Sequence, residues 1–184
     1  MAESKKTDEK LNKLADKDVR IVYLPPMTVA AVFVMGQNGH DVYEGSGEQQ
    51  TALALHEFIK RNDLARIKPD MRHFGFNRES NRTNHSYERW ITIPGDLAVE
   101  PPFEKKRISG GLYAAHAAFP GERWLELYNW GMDNAKYLYD GQRDPLCSHG
   151  CLEEHLNVMN LYDRPGGDTG YHLLDLLLPI KEKS

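Results

Sequence analysis

The sequence has few cysteines, no long apolar run and no excess of positive charge. Its 184 residues include two cysteines, Cys147 and Cys151, which excludes a disulfide framework and is typical of a reducing compartment. No stretch is long enough to span a membrane, and the charged first 18 residues lack the apolar core of a secretory signal. The net charge is -4 and the basic residues are scattered, which argues against a nucleic-acid-binding surface. We therefore expect a cytoplasmic protein that binds neither membrane nor nucleic acid.

Motifs for phosphate binding, metal binding and nucleophilic catalysis are also missing. The glycines between residues 36 and 47 lack the Lys-Ser/Thr of a P-loop, and no G-x-S-x-G elbow occurs. Cys147, His149, Cys151 and His155 carry ligand atoms, but their C-x-H-x-C-x-x-x-H spacing matches no common zinc pattern. We expect neither a cofactor nor a metal.

Chain length and composition favour one folded domain. The apolar fraction of 40% and the charged fraction of 27% are close to globular averages. Residues 1–18 predict a charged, flexible lead or a frayed helix around Leu11 and Leu14. Residues 19–183 predict a single domain with halves at about 19–97 and 103–183.

Hydrophobic periodicity predicts the same order of elements in both halves. The first half reads as strands at 19–24 and 28–35, a helix at about 48–62, and strands at 71–77 and 88–94. The second reads as strands at 104–108 and 112–119, a helix at 121–139, and strands at 152–158 and 171–180.

Three short matches indicate an internal duplication. Residues 29–35 align with 113–119, 74–77 with 154–157, and 90–94 with 175–179, at offsets of 84, 80 and 85. The alternative is that any antiparallel α+β chain shows short internal matches of this kind. We predict an α+β fold of two pseudo-symmetric strand–strand–helix–strand–strand halves, which form an antiparallel sheet with two helices. A ligand cleft is expected between the halves, since pockets favour such junctions.

The most informative positions are those where one half is apolar and the other polar. Three such pairs are Phe74 with Glu154, Trp90 with Asp175, and Val32 with His116. We prefer Glu154 to Glu153 as the functional acid, because alternation along a strand places it on the face of Leu152 and Leu156. A carboxylate among apolar neighbours costs free energy unless it is paired. Glu154 therefore predicts a cavity that is open to solvent or to a cationic ligand.

A structural explanation of these acids stays open beside the functional one. Under the structural explanation, Glu153 or Glu154 forms an ion pair with an arginine of a neighbouring strand. The candidate arginines are Arg72, Arg89 and Arg107. Asp175 then lies at an exposed sheet edge. Neither arrangement would require a ligand.

Aromatic residues complete the predicted binding site. Aromatic faces attract a desolvated cation, and this domain is rich in them. The candidate ligand-binding residues are Glu154, Glu153, Trp90, Tyr113, Trp124, Trp130, Asp175, His116 and Phe74.

From about residue 19 to 183 the sequence resembles the GyrI-like effector-binding domain of bacterial transcription activators. It is similar to the multidrug-binding domains of AraC- and MerR-type regulators. The resemblance rests on the duplicated pattern and on three motifs: Leu24-Pro-Pro-Met-Thr-Val-Ala, Glu88-Arg-Trp-Ile-Thr-Ile-Pro and Leu176-Leu-Leu-Pro-Ile. It implies a ligand cavity between the halves. It also implies that Glu154, in the penultimate strand, meets a lipophilic cation, with Tyr113 and Trp90 as candidate walls.

Three functions follow from the residues and the resemblance. The first is binding of small hydrophobic, cationic organic compounds in the cavity. The second is hydrolysis of reactive small molecules there, with Glu154 as the general base. The third is a protein-interaction role such as gyrase inhibition, which the acidic charge balance and the resemblance suggest. Direct transcriptional control is not expected, because the charged lead is too short for a DNA-binding domain.

Overall fold

The computed structural model describes residues 12–35, 47–78, 86–143, 150–156 and 173–184. A short 3-10 turn, Asp16–Asp18, precedes the regular elements. These elements are β1 (Arg20–Leu24), β2 (Met27–Val34), α1 (Gly47–Arg61), α2 (Leu64–Ile67), β3 (His73–Asn77), β4 (Tyr87–Thr92), β5 (Glu104–Ile108), β6 (Gly111–Ala118), α3 (Trp124–Met132), β7 (Tyr137–Tyr139), β8 (Leu152–His155) and β9 (Leu174–Glu182).

The strands form one antiparallel sheet. Its order is β1-β6-β9-β8-β3-β4-β2-β5, and the short β7 pairs with the end of β9. The predicted α+β architecture with an antiparallel sheet is confirmed.

The two halves exchange their first strands across the sheet. β1 of the first half pairs with β6 of the second, and β5 of the second pairs with β2 of the first. β1 and β5 begin 84 residues apart, at 20 and 104, and so do β2 and β6, at 27 and 111. This offset equals the one found in the sequence, so the predicted pseudo-symmetry is confirmed. The halves meet where β3 pairs with β8.

Helix α1 packs on the first half of the sheet. Its buried residues Thr51, Leu55, Phe58 and Ile59 recur at a spacing that places them on one stripe. The stripe contacts a buried cluster on β2, β4 and their connections. The residues of that cluster outside α1 are Ala30, Val32, Leu64 of α2, Ile91, Ile93 and Phe103.

Helix α3 packs on the second half, on the same face of the sheet. Leu127, Trp130 and Gly131 are its buried residues. A Cβ at Gly131 would lie 2.4 Å from Leu178 Cδ2, so glycine allows the helix to approach β9 closely. The strand residues in this cluster are Ala114, Ala118, Leu174, Leu176, Leu178 and Ile180. We call the side of the sheet that α1 and α3 contact the helix-covered face, and the other side the opposite face.

The opposite face has its own core. Its buried residues are Leu24, Val29, Ala31, Phe74, Phe76, Trp90, Ile108, Tyr113, Ala115, Leu152 and Leu177. Glu88 is fully buried beside them and is bound by three donors. Trp90 Nε1 and Lys106 Nζ lie 2.7 and 2.6 Å from its Oε1, and Arg78 Nη1 lies 2.7 Å from its Oε2. The charge of Glu88 is therefore neutralised within the sheet.

The predicted second helix is wrong at its C-terminal end. It was expected over 121–139, but α3 ends at Met132. Asn134 Oδ1 then accepts the backbone N–H groups of Lys136 and Tyr137, at 2.8 and 3.0 Å. This side-chain turn directs the chain into β7, as Asn residues commonly do. The predicted strands at 152–158 and 171–180 appear as β8 and β9, and residues 157–158 and 171–172 lie outside the described residues.

The described part of the predicted flexible lead packs on α3. Leu14 is buried and its N–H donates to Glu126 O at 3.3 Å. Asn129 Nδ2 donates to Asn12 O at 2.9 Å, and Trp130 Nε1 donates to Asp16 Oδ1 at 2.8 Å. The backbone and one apolar side chain of residues 12–18 thus have partners on α3.

None of the helices in the described ranges has the length and apolar character needed to cross a membrane.

Candidate functional site

The β3–β8 pair at the centre of the sheet separates the two neighbouring glutamates. Phe74 lies opposite Glu154, and Gly75 lies opposite Glu153. Residues paired across antiparallel strands share a face, and successive residues alternate between faces. Glu154 therefore lies with Phe74 on the opposite face, whereas Glu153 lies on the helix-covered face between α1 and α3.

Glu154, the preferred acid of the sequence analysis, is engaged in a bidentate ion pair. Arg72 Nε lies 2.7 Å from its Oε1, and Arg72 Nη2 lies 2.6 Å from its Oε2. The hydrogen bonds that Arg72 donates to Glu154 raise the pKa of Arg72 above its ordinary value. This is the arginine pairing that the sequence analysis left open as the alternative.

Asp175 lies inside the sheet and not at its edge. β9 is flanked by β6 and β8, and Asp175 is paired with Ala117 and Glu154 across the strands. Its carboxylate accepts a hydrogen bond from Arg20 Nη2. The alternative of an exposed sheet edge for Asp175 therefore does not hold, and its charge is balanced by Arg20.

Most of the aromatic residues that were predicted to line the cavity are buried in other parts of the fold. Phe74, Trp90 and Tyr113 belong to the core of the opposite face, each at most 3% exposed. Trp130 is a buried residue of α3, and His116 Nδ1 lies 2.8 Å from Asp18 O. The remaining two predicted residues, Trp124 and Glu153, come together on the helix-covered face.

Glu153 accepts hydrogen bonds from one aromatic residue of each half. Tyr87, the first residue of β4, donates its hydroxyl to Oε2 at 2.5 Å. Trp124, the first residue of α3, donates Nε1 to Oε1 at 3.1 Å. Both oxygens are thus held by neutral donors, and the carboxylate lies at the junction of the two halves.

A pocket of about 250 Å³ opens beside this carboxylate. Its lining residues are Phe76, Asn77, Trp124, Tyr128, Tyr139, Cys151 and Glu153. The rings of Tyr128 and Tyr139 meet edge to face, with centroids 5.2 Å apart. Burial raises the pKa of the Cys151 thiol to about 11, so near neutral pH it is a protonated, poorly nucleophilic wall residue. The pocket combines aromatic surface with one acid.

The charge of Glu153 distinguishes it from the other acids of the central strands. Glu88, Glu154 and Asp175 each have an arginine or lysine partner. Within the part of the chain that the structure describes, no ion pair includes Glu153. Its hydrogen bonds from Tyr87 and Trp124 satisfy the oxygens without neutralising the charge.

A buried arginine, Arg89, forms the floor of the site next to the hydrogen-bonded pair of Tyr87 and Glu153. Arg89 Nη1 lies 3.2 Å from His73 Nε2 and 2.9 Å from His155 Nε2. The two imidazoles stack, with ring centroids 4.3 Å apart. The Arg89 guanidinium carbon lies 4.8 Å from the centre of the Tyr87 ring, so the floor supports that phenol from below.

The sequence matches the family described as "Cass2: Integron-associated effector binding protein" over residues 20–180. The chain belongs to this family. The resemblance to the GyrI-like effector-binding domain is thereby confirmed, and binding of small molecules is its general function. No curated protein matches the chain by sequence.

Solved structures share the fold of this Cass2-family chain at low sequence identity. The C-terminal domain of EcmrR is 12% identical, with 90% of this chain and 98% of that chain covered and a TM-score of 0.59. EcmrR bound to DNA is 12% identical, with 90% and 57% covered and a TM-score of 0.56. A hydrolase from Listeria innocua is also 12% identical, with 90% and 92% covered and a TM-score of 0.54. These similarities establish the fold.

Several residues in or next to this pocket are not among the predicted site residues. Tyr87, Tyr128 and Gly75 are absent from the predicted set, and Arg89 was considered only as an ion-pair partner of Glu153 or Glu154. One signal was present: a glycine inside a strand often marks a close approach by another group. Gly75 lies in the middle of β3, opposite Glu153.

The Cys and His residues of the pattern that we set aside as a metal site lie partly outside the described residues. Cys147 and His149 lie outside the described residues. Among the residues that are described, no group of three or more His, Cys, Asp or Glu side chains is arranged to hold a metal ion.

Proposed function

We propose that the chain binds a small aromatic cation in the pocket beside α3. Glu153 supplies the negative charge, and Trp124, Tyr128 and Tyr139 supply the stacking surface. The observation that carries the proposal is that, among the described residues, the hydrogen-bond donors to Glu153 are the neutral groups of Tyr87 and Trp124, although it faces an aromatic pocket. A carboxylate that is half-buried and forms no ion pair with the described residues favours an incoming cation, because the ligand then provides an ion-pair partner.

The aromatic residues that line the pocket also favour a small aromatic cation. A desolvated cation over an aromatic face gains about 0.5–2 kcal/mol, and about 1.4 kcal/mol corresponds to a tenfold change in affinity. The volume of about 250 Å³ lies just below the usual range of drug-sized sites, roughly 300–1,000 Å³. The pocket therefore suits a compact ligand with one or two aromatic rings.

Binding of two dyes of equal shape tests this proposal. One dye carries a quaternary nitrogen, and its partner has a carbon in that place and no charge. Fluorescence titration of the protein is expected to give a dissociation constant at least about tenfold lower for the cationic dye. Equal affinities, or tighter binding of the neutral dye, would contradict the electrostatic part of the proposal.

The same samples separate binding from hydrolysis. A binding protein returns its ligand chemically unchanged, so mass spectrometry is expected to recover both dyes at their original masses. A hydrolysis product that depends on the protein would favour the hydrolase hypothesis, in which a carboxylate of this site activates water.

A further inference from the structure

We propose that Tyr87 is a positioning residue, which holds the Glu153 carboxylate toward the pocket beside α3, and that this contact depends on Gly75 having no side chain. The inference rests on the proposed function of Glu153 and adds two residues that determine its selectivity for charge. Tyr87 itself is 2% exposed and does not line the pocket, so it acts on a ligand only through Glu153.

The phenol of Tyr87 has to cross one strand to reach the acid. β3 lies between β4, which carries Tyr87, and β8, which carries Glu153. The ring passes over Gly75: a Cβ placed there would lie 2.3 Å from the Tyr87 hydroxyl oxygen and 2.6 Å from Cε1. Real Cβ atoms do not approach other atoms that closely. Any other residue at position 75 would therefore displace the ring from Glu153.

The phenol is also held from its other side. The guanidinium of Arg89 lies against the Tyr87 ring, and Arg89 is fixed in turn by His73 and His155. Burial, and after it the charge of Glu153, raises the pKa of Tyr87 well above its ordinary value of 10. The hydroxyl consequently keeps its proton and remains the donor to Oε2. With Oε2 fixed, Oε1 is directed to Trp124 and the pocket.

Loss of this support affects ligands according to their charge. Without the phenol hydroxyl, the carboxylate gains rotational freedom and its mean distance from a bound cation increases. A neutral ligand of the same shape contacts only the aromatic walls, which Tyr87 does not form. A positioning role therefore predicts a change in the ratio of the two affinities.

Two variants with matched controls test the inference. Tyr87→Phe removes the hydroxyl at constant shape, and Gly75→Ala displaces the ring. Each is expected to weaken the cationic dye about tenfold and leave the neutral dye unchanged, the loss typical of one hydrogen bond to a charged group. Tyr137→Phe and Gly95→Ala are the controls, since a Cβ at Gly95 meets only Thr28 Oγ1, at 4.0 Å. Both controls are expected to bind like the wild type.

A double variant distinguishes positioning from a general structural effect. In the Glu153→Gln background, Tyr87→Phe is expected to cause no further loss, because the two residues act as one unit. An equal loss for both dyes, or a full additional loss in that background, would overturn the inference. The inference is also overturned if Tyr87→Phe keeps the preference for the cationic dye while Glu153→Gln abolishes that preference. In that case the proposed function stands. A wild-type protein without preference for the cation overturns both. If Gly75→Ala does not fold, Tyr87→Phe carries the test.

Discussion

Glu153→Gln is expected to weaken binding of the cationic dye by about 1–3 kcal/mol and to leave the neutral dye almost unchanged. The amide keeps the size of the side chain. Its oxygen can still accept from Trp124, and its NH2 group can donate to the hydroxyl oxygen of Tyr87. The variant removes the charge, which forms no ion pair within the described residues. Isothermal titration calorimetry with both dyes measures the difference directly.

The neighbouring residue supplies the matched control for this experiment. Glu154→Gln removes the same charge one position along β8, but on the opposite face, where it breaks the ion pair with Arg72. We expect this variant to bind both dyes like the wild type and to lose about 1–3 kcal/mol of unfolding free energy. The reverse pattern, with binding lost in Glu154→Gln and retained in Glu153→Gln, would place the ligand on the wrong face for our proposal.

Glu88→Ala is expected to cause the largest loss of stability, about 3–5 kcal/mol of unfolding free energy. Glu88 is fully buried and carries the negative charge for Lys106 and Arg78, while Trp90 donates to it as well. Removing one partner of a buried ion pair leaves the others desolvated without compensation. Urea denaturation followed by circular dichroism measures the loss.

Glu104→Ala is the control for the stability prediction. Glu104 lies on β5, and its carboxylate is 3.6 Å from the same Lys106 nitrogen, but its side chain is 74% exposed. Exposed ion pairs contribute little, so a change below about 1 kcal/mol is expected. If Glu88→Ala were as mild as Glu104→Ala, the buried network would not be a main source of stability.

The sequence was sufficient to predict the architecture, because a duplication repeats the hydrophobic pattern at a fixed offset. The offset of 84 residues that aligned 29–35 with 113–119 also relates β1 to β5 and β2 to β6. The exchange of first strands between the halves could not be predicted, since each edge pairing depends on contacts that are far apart in the chain. The end of α3 was missed because one side chain, Asn134, turns the chain there.

The site was predicted less well than the fold, for a geometrical reason. Alternation correctly placed Glu154 with Leu152 and separated it from Glu153. Alternation along a strand does not indicate which face of the sheet the helices cover. The pocket lies on the helix-covered face, beside α3, and Glu154 lies on the other face. Glu154 also has a partner that sequence alternation does not reveal, because Arg72 reaches it from the loop before β3.

The three tryptophans allow the position of the ligand to be measured directly. Trp124 lines the pocket and donates to Glu153, whereas Trp90 donates to Glu88 and Trp130 to Asp16. In a ¹⁵N-labelled protein the three indole N–H signals can be assigned with single Trp→Phe variants and followed during titration with the cationic dye. Our account predicts that the Trp124 signal shifts and saturates while those of Trp90 and Trp130 stay in place. A saturable shift of Trp90 with no change at Trp124 would contradict it.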